Sequence, residues 1–279
     1  ECSPEHKLMC LKNQNMKFVE TKDLKLNDLV AIQYNQQVYH NKDDISDIML
    51  ERSGDWDPPE NINEELAYIL GLYIAEGSYS YGKMVIYNIE EDVINKLINN
   101  NLGLNFIHEP KYQRISLCNV RFIELLNKLG FAKVKCFDKI IPHKLMLLSE
   151  KNMVSLIRGM FDGDGSSSKH NGIITYTSTS KRLIQQIRML LLNTGILSKI
   201  SIDNRKISKF NRHGKDYVSD KKECYQLILS TKDSSQFYNN IKFGITRKII
   251  KSQSLKESKD YIYGITNQFK KLHDKYPIV

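Results

Sequence analysis

Several features are missing from this 279-residue sequence, and each absence removes a class of protein. No run approaches the ~20 apolar residues that a membrane-spanning helix requires, so we expect no membrane span. No basic segment followed by an apolar run opens the chain, so we expect no secretory signal. The chain begins at Glu1 rather than at a methionine, and we expect an upstream piece to be missing or removed.

Paired cysteine motifs are also missing. The five cysteines form no Cys-x-x-Cys pair and are scattered at Cys2, Cys10, Cys118, Cys136 and Cys224. An odd, scattered set without an export signal predicts reduced thiols and argues against a structural zinc site. We therefore expect an intracellular protein, in the cytoplasm or nucleoid, or in the nucleus or an organelle of a eukaryote.

Positive charge is what the sequence has in excess, with 41 Lys and Arg against 32 Asp and Glu and a formal net charge of +9. Such an excess favours polyanionic partners such as nucleic acid or an anionic membrane surface. An ordinary basic protein would show the same balance, so charge alone does not identify the partner.

Three regions differ in character. Residues 1–40 alternate apolar and polar positions, which predicts a small all-β segment with short strands at 7–10, 16–19 and 29–32. Residues 41–61 are polar and acidic, contain Gly54 and a Pro58-Pro59 pair, and are interpreted as a linker. The remainder divides into a first half at 62–150, a second half at 151–251 and a C-terminal tail at 252–279.

The two halves repeat one pattern. Leu66–Gly77 matches Met153–Gly165, because Glu76 and Asp164 occupy the same place in each segment. Each copy predicts the order α-β-β-α-β-β-α, with the later helices at 90–100 and 119–129 in the first half and at 181–193 and 233–242 in the second. The predicted fold class is therefore α+β, with two pseudo-symmetric halves.

The first helix of each half has small residues four positions apart, Gly71 and Ala75 in one and Gly159 and Gly163 in the other. Glycine inside a helix costs roughly 1 kcal/mol relative to alanine. Two stripes of small residues would let the helices approach more closely than the usual 8–10 Å. We therefore predict that these two helices pack directly against each other.

Both helices are predicted to end at a glycine cap that follows an acidic residue, Glu76 in one and Asp164 in the other. An acid in the last turn opposes the helix dipole by about 0.3–1 kcal/mol. Two such acids on adjoining helices would also repel each other. An exposed end-of-helix charge explains one of them, but the duplication favours a bound divalent cation, and hard oxygen ligands suit Mg²⁺.

The segments Ile69–Gly77 and Ile157–Gly165 resemble the two dodecapeptide motifs of single-chain LAGLIDADG homing endonucleases. The resemblance covers roughly residues 62–251. The stretch from 126–131 through 139–142 also resembles the segment that precedes the second motif in intein-type members. The resemblance implies a saddle of two four-stranded sheets along the DNA major groove, with the two motif helices at its interface.

The resemblance also implies roles for individual residues. Glu76 and Asp164 would be the catalytic metal ligands for Mg²⁺, with Mn²⁺ as a possible substitute. Lys139 and Lys248 match lysines that often assist catalysis, although either could be a plain surface lysine. Asp162 occupies a motif position that usually supports packing or capping.

Candidate DNA-contacting side chains lie on the predicted strands and turns of the two halves: Tyr79, Tyr81, Lys83, Lys111, Tyr112, Arg114, Lys169, His170 and Tyr176. A basic insert at residues 203–222 adds further candidates for phosphate contacts: Arg205, Lys206, Lys209 and Arg212. A charge run of this kind is otherwise a solvated loop.

The N-terminal segment shows a second, weaker similarity. Cys2–His6 and residues 23–30 look like part of an intein splicing domain, with His6 matching the histidine that activates the upstream splice junction. The sequence lacks a preceding nucleophile block and a terminal His-Asn pair, so self-splicing by this chain as given is not expected. Residues 1–40 are interpreted as a splicing-domain relic.

The sequence thus predicts a monomeric, site-specific double-strand DNA endonuclease that uses Mg²⁺ and recognises a long, asymmetric target. Three alternatives stay open: an RNA-binding intron maturase on the same scaffold, a catalytically dead DNA-binding relic, and an intact intein, which the missing terminal segments disfavour.

Overall fold

The structure is a computed structural model that describes residues 2–249, apart from 14, 27, 32–37, 81, 132–134, 204–206, 213–214 and 221–222. The chain forms two compact units that divide after Tyr34. Residues 2–31 are the described part of the first unit, and residues 38–249 contain the described part of the second. Within these ranges, every helix is too short or too polar to cross a bilayer.

The N-terminal unit is a small antiparallel sheet. Its strands are β1 (Lys7–Lys12), β2 (Asn15–Glu20) and β3 (Leu29–Val30), in the order β2-β1-β3. They confirm the three short strands predicted from the alternating pattern. Cys10 is fully buried, whereas Met16 and Phe18 on β2 are more than half exposed.

The first half of the larger unit has the predicted order. Its elements are α1 (Glu64–Glu76), β4 (Gly77–Ser80), β5 (Lys83–Ile86), α2 (Glu91–Ile98), β6 (Phe106–Glu109), β7 (Arg114–Leu117) and α3 (Val120–Lys128). The four strands form one antiparallel sheet in the order β4-β5-β7-β6. Asn63 begins α1 by accepting a hydrogen bond from Leu66 N at 2.9 Å, which satisfies a free amide of the first turn.

The second half repeats this order with one addition. Its elements are α4 (Glu150–Asp164), β8 (Gly165–Ser167), β9 (Ile174–Ser178), α5 (Lys181–Asn193), β10 (Ser198–Asp203), β11 (Ile207–Arg212), β12 (Lys215–Asp220), β13 (Cys224–Leu229) and α6 (Thr231–Asn240). The sheet has the order β10-β13-β9-β8. The insert at 203–222, predicted as a loop, contains a separate hairpin of β11 and β12.

Helices α1 and α4 pack against each other at the centre of the unit, as the small-residue stripes predict. A Cβ placed on Gly71 would overlap Leu156 O and reach Met160 N at 3.0 Å. A Cβ on Gly159 would overlap Tyr68 O and reach Leu72 N at 3.0 Å. The two sets of contacts are related by the sequence repeat, so the interface has a pseudo-two-fold axis.

The segment 41–61, interpreted from the sequence as a linker, lies within the larger unit and packs against its first half. Ile45 is 1% exposed and Trp56 is 6% exposed. Trp56 Nε1 donates a hydrogen bond to Leu102 O at 2.7 Å. Arg121 Nε donates to Trp56 O at 2.6 Å. The apolar side chains in this polar segment explain why it is ordered against the core.

Candidate functional site

The two predicted acids lie where α1 and α4 end side by side. Each helix ends at its acid, and the following Gly77 and Gly165 have extended backbone, with φ of −73° and −77°. Gly77 and Gly165 are thus the C-cap residues, as predicted, but neither has the left-handed conformation that is common for a glycine at a helix end. A Cβ on either glycine would instead overlap its own helix, at Tyr73 O and Phe161 O respectively, so glycine is required for space.

Small residues bring the two carboxylates together at this point. A Cβ on Gly163 would lie 2.5 Å from Ala75 Cβ and 3.6 Å from the carboxyl carbon of Glu76. The space between the two helices holds the methyl group of Ala75 but has no room for a second one at Gly163. The carboxylate of Glu76 therefore lies beside the residue that precedes Asp164, and the charge of Asp164 acts on it directly.

Within the described part of the chain, each carboxylate accepts a hydrogen bond from one side chain. Asn88 Nδ2 donates to Glu76 Oε2 at 2.6 Å. Tyr176 Oη donates to Asp164 Oδ2 at 3.4 Å. These two bonds leave other carboxylate oxygens available for a ligand, since an ionised carboxylate accepts up to about four hydrogen bonds.

The pKa values of both acids are raised. Burial is the largest cause for Glu76, and with the charge of Asp164 it raises the pKa from 4.5 to about 7, against the hydrogen bond from Asn88. Desolvation also raises the pKa of Asp164, although this side chain keeps an exposed surface. Because both carboxylates have lost hydration, a bound cation would stabilise their ionised forms.

The raised pKa of Glu76 has a cost for stability. Between pH 4.5 and about pH 7, Glu76 binds more protons in the folded chain than in the unfolded chain. The free energy of unfolding therefore falls as the pH rises through this range. Above pH 7 the cost is fully present, at about 1–3 kcal/mol once screening at a partly exposed site is allowed for. A site that destabilises the protein at neutral pH is typical of function.

Lys139 and Lys248 both lie beside the helix ends that carry Glu76 and Asp164, as the resemblance implies. Lys139 Nζ donates to Ala75 O at 2.7 Å, in the last turn of α1. Lys248 Nζ donates to Asp162 O at 2.6 Å, in the last turn of α4. Both ammonium groups lower the pKa of Asp164, with Lys139 the stronger of the two. The alternative that either is a plain surface lysine is therefore wrong.

Asp162 has a structural environment. Its side chain is fully buried. Oδ2 accepts a hydrogen bond from Tyr68 Oη at 2.8 Å, and Oδ1 accepts one from Gly244 N at 2.9 Å. These contacts tie α4 to α1 and to the segment after α6, in keeping with the packing role that the motif position implies.

Glu76 and Asp164 provide some of the ligands that a divalent cation needs. Among the described residues, no group of three or more His, Cys, Asp or Glu side chains could hold a metal ion. The two carboxylates are adjacent hard oxygen donors with oxygens left over, which suits Mg²⁺ or Mn²⁺ when other ligands come from water and a bound phosphate.

Strand register places several predicted contact residues on the outer face of the first sheet. Met84 pairs with Leu117, and both point into the core, so Lys83 and Arg114 lie on the opposite face. Arg114 Nη2 lies 2.8 Å from Glu109 Oε2, so its charge is already paired. Lys111 and Tyr112 lie in the turn before β7, with Tyr112 exposed.

The outer face of the second sheet is also polar. Thr175, Thr177 and Gln226 lie there, because their neighbours Ile174, Tyr176 and Leu227 are buried. Tyr176 is fully buried, so its prediction as a groove contact is wrong. Lys169 and His170 are exposed in the turn between β8 and β9, as a contact role requires.

Other predicted contacts fall partly or wholly outside the described residues. Tyr81, Arg205 and Lys206 lie outside them. Lys209 and Arg212 lie on β11, but only their backbone is described. The interpretation of the insert as a phosphate-contacting element stays a prediction.

The predicted splicing-relic histidine belongs to the N-terminal unit. His6 is exposed, and its carbonyl accepts hydrogen bonds from Thr21 N at 2.8 Å and Thr21 Oγ1 at 2.8 Å. Cys2 Sγ lies 3.4 Å from Thr21 Oγ1. These contacts fix the turn before β1 and leave the imidazole of His6 accessible.

Two partners of the acids were not identified from the sequence. Asn88 follows β5 and carries no motif that marks it as a partner of Glu76. The role of Tyr176 as a donor to Asp164 was missed because Tyr176 was assigned to the groove, although the alternation in its strand indicates that it faces inward with Ile174. The repeat is the signal that could have found both, because the 88-residue offset between Glu76 and Asp164 also relates Asn88 to Tyr176.

The chain is similar to a known family and to several curated proteins. Residues 151–242 match the family model of the LAGLIDADG-like domain. The Methanocaldococcus jannaschii DNA-directed RNA polymerase subunit Rpo1C is 28% identical over 202 residues, 66% of this chain and 23% of the relative. A probable translation initiation factor IF-2 of the same organism is 28% identical over 225 residues, 77% of this chain and 18% of the relative. The chain spans about a fifth of the length of these curated relatives.

Solved structures that resemble the chain include a homing endonuclease and a DUF199/WhiA protein. The homing endonuclease I-DmoI in complex with DNA and Mn has a TM-score of 0.42 and 20% identity, covering 65% of this chain and 98% of that chain. Full-length DUF199/WhiA from Thermatoga maritima has a TM-score of 0.45 and 15% identity, covering 84% of this chain and 70% of that chain.

Proposed function

We propose that this chain is a site-specific double-strand DNA endonuclease of the LAGLIDADG type, with both halves contributing to one catalytic centre. The observation that carries the proposal is the adjacency of Glu76 and Asp164 at the ends of two helices held together by Gly71 and Gly159. The LAGLIDADG-like domain of the second half supports it, and the sequence repeat extends the motif to the first half.

Glu76 and Asp164 would hold the cations, here Mg²⁺ with Mn²⁺ as substitute. A bound divalent cation polarises the phosphodiester and lowers the pKa of the attacking water. Asn88 and Tyr176 orient the two carboxylates through their hydrogen bonds. Burial penalises the two negative charges, and a bound cation would relieve that penalty.

The two polar outer faces would lie along the DNA. Lys83, Lys169 and His170 would contact phosphates or base edges, and the hairpin of β11 and β12 would add the basic insert. The halves differ in sequence, so the target would be asymmetric, and one chain would suffice as a monomer. The net charge of +9 for the whole sequence supports a polyanionic partner.

The two curated relatives support an intein-type origin. They have unrelated names, an RNA polymerase subunit and an initiation factor, yet the chain matches about a fifth of each. We propose that the shared portion is a mobile insertion rather than the part that gives each relative its name. Residues 1–40 would then be the splicing-domain remnant, with His6 as its matching histidine.

Cleavage of a plasmid library tests the proposed function. The library carries candidate insertion sites taken from genes of the kinds that the relatives represent. With Mg²⁺ the full chain is expected to convert a subset of plasmids to linear DNA with one fixed pair of ends, and EDTA is expected to stop the reaction. Binding of a structured intron RNA without cutting any DNA would favour a maturase. Binding of DNA without cutting would favour a catalytically dead relic.

A further inference from the structure

The two lysines of the centre differ in how many of their N–H donors are already used. Lys248 Nζ donates to Phe161 O at 3.1 Å, Asp162 O at 2.6 Å and Gly163 O at 3.0 Å. An ammonium group has three donors, so Lys248 has used all of them. Among the described residues, Lys139 Nζ has a single hydrogen-bond acceptor, Ala75 O. Two of its donors are therefore available.

The segment that bears Lys248 is held in place by both halves. Thr246 N donates to Asp92 Oδ2 at 2.7 Å, and Arg247 Nε donates to Glu90 Oε1 at 2.6 Å. The carbonyl of Lys248 accepts a hydrogen bond from Ser167 Oγ at 2.7 Å. Lys248 is only 4% exposed. Turning its ammonium towards DNA would break the cap of α4, because three carbonyls in its last turn would lose their charged donor.

Lys139 is more accessible. It is partly exposed and lines an open cavity of about 330 Å³ together with Tyr73, Phe131 and Asp138. The corresponding aromatic positions of the second half are filled, because Phe161 packs against Phe237 and Phe243 and is fully buried. A phosphate can therefore approach the ammonium of Lys139 and not that of Lys248.

We infer that the two half-sites are unequal: Lys139 is a catalytic residue that contacts the scissile phosphate, and Lys248 is a positioning residue that caps α4. The inference rests on the proposed nuclease function. The strand whose phosphate lies beside Lys139 is then cut first, because only that phosphate gains a direct ammonium contact. DNA nicked in this one strand is the intermediate.

Thermal unfolding of the metal-free chain tests the cap without any DNA. Lys248→Met leaves three helix-end carbonyls without their charged donor, so its Tm is expected to fall by about 5–10 °C. Lys139→Met is expected to change the Tm by less than about 3 °C, as is the control Lys128→Met, which removes an exposed charge on α3. Equal Tm values for Lys248→Met and Lys139→Met would overturn the inference.

Strand-resolved cleavage tests the other half of the inference. On an end-labelled target, the parent is expected to cut one strand at least about tenfold faster than the other. Lys139→Met should slow that first cut about 100-fold and abolish the preference. Lys248→Met, assayed well below its Tm, should slow both cuts equally and keep the preference. If Lys139→Met slowed the cut in one strand and Lys248→Met slowed the cut in the other strand, the inference would be overturned. A parent that cuts no DNA would overturn the proposed function, and the Tm comparison would then decide the role of Lys248.

Discussion

Glu76→Gln and Asp164→Asn are each expected to reduce DNA cleavage about 1000-fold or more while changing DNA affinity less than about threefold. Each change keeps the shape of the side chain and removes one of the two charges that would hold the cations. The outer faces of the sheets, which would supply binding, are untouched. The measurements are the rate at which supercoiled target plasmid is cut in Mg²⁺ and the gel-shift affinity in Ca²⁺.

A matched control separates this effect from a general loss of negative charge. Glu91→Gln removes an exposed acid on α2, and it is expected to cut at the parental rate. If Glu76→Gln or Asp164→Asn cut as fast as this control, the carboxylates at the helix ends would not be the metal ligands.

Gly71→Ala and Gly159→Ala are expected to be among the most destabilising single substitutions in the larger unit. The added Cβ would overlap a backbone carbonyl of the opposite helix, Leu156 O in one case and Tyr68 O in the other. Backbone cannot move aside without separating α1 and α4. We expect a loss of about 3–5 kcal/mol even after the roughly 1 kcal/mol that alanine gains in helix propensity.

Chemical denaturation measures these losses, and Gly54→Ala provides the control. A Cβ on Gly54 would meet side chains and no backbone, with Arg121 Cδ at 3.1 Å and Val120 Cγ2 at 3.9 Å, so its effect should stay below about 1 kcal/mol. Because the repeat relates Gly71 to Gly159, the two losses should agree within about 1 kcal/mol. Losses no larger than that of Gly54→Ala would show that α1 and α4 are not in close contact.

The repeat explains why much of the fold could be predicted from the sequence. Helix α5 has the predicted bounds, Lys181–Asn193, and both motif helices end at the predicted acids. A pattern written twice is a strong constraint, because an error in one copy would conflict with the other. Glycine is unfavourable in a helix interior, so its presence in both motif helices indicated that these helices are in close contact.

Features that depend on the surroundings could not be predicted. Tyr176 looked like a groove contact because a shift of one residue exchanges the two faces of a strand. Lys248 is buried although lysine is almost always exposed, and only the three carbonyls at the end of α4 explain this. The hairpin of β11 and β12 was hidden by the charges of the insert, which resemble those of a solvated loop.

The most direct test of the account is a calorimetric titration of Mn²⁺ into the metal-free chain and into the double variant Glu76→Gln/Asp164→Asn. The parent is expected to bind, with an affinity about tenfold weaker at pH 6 than at pH 8, because protons compete at Glu76, whose pKa is about 7. The double variant is expected to bind no Mn²⁺ over the same range. Equal binding by parent and variant would contradict the claim that the paired carboxylates hold the metal.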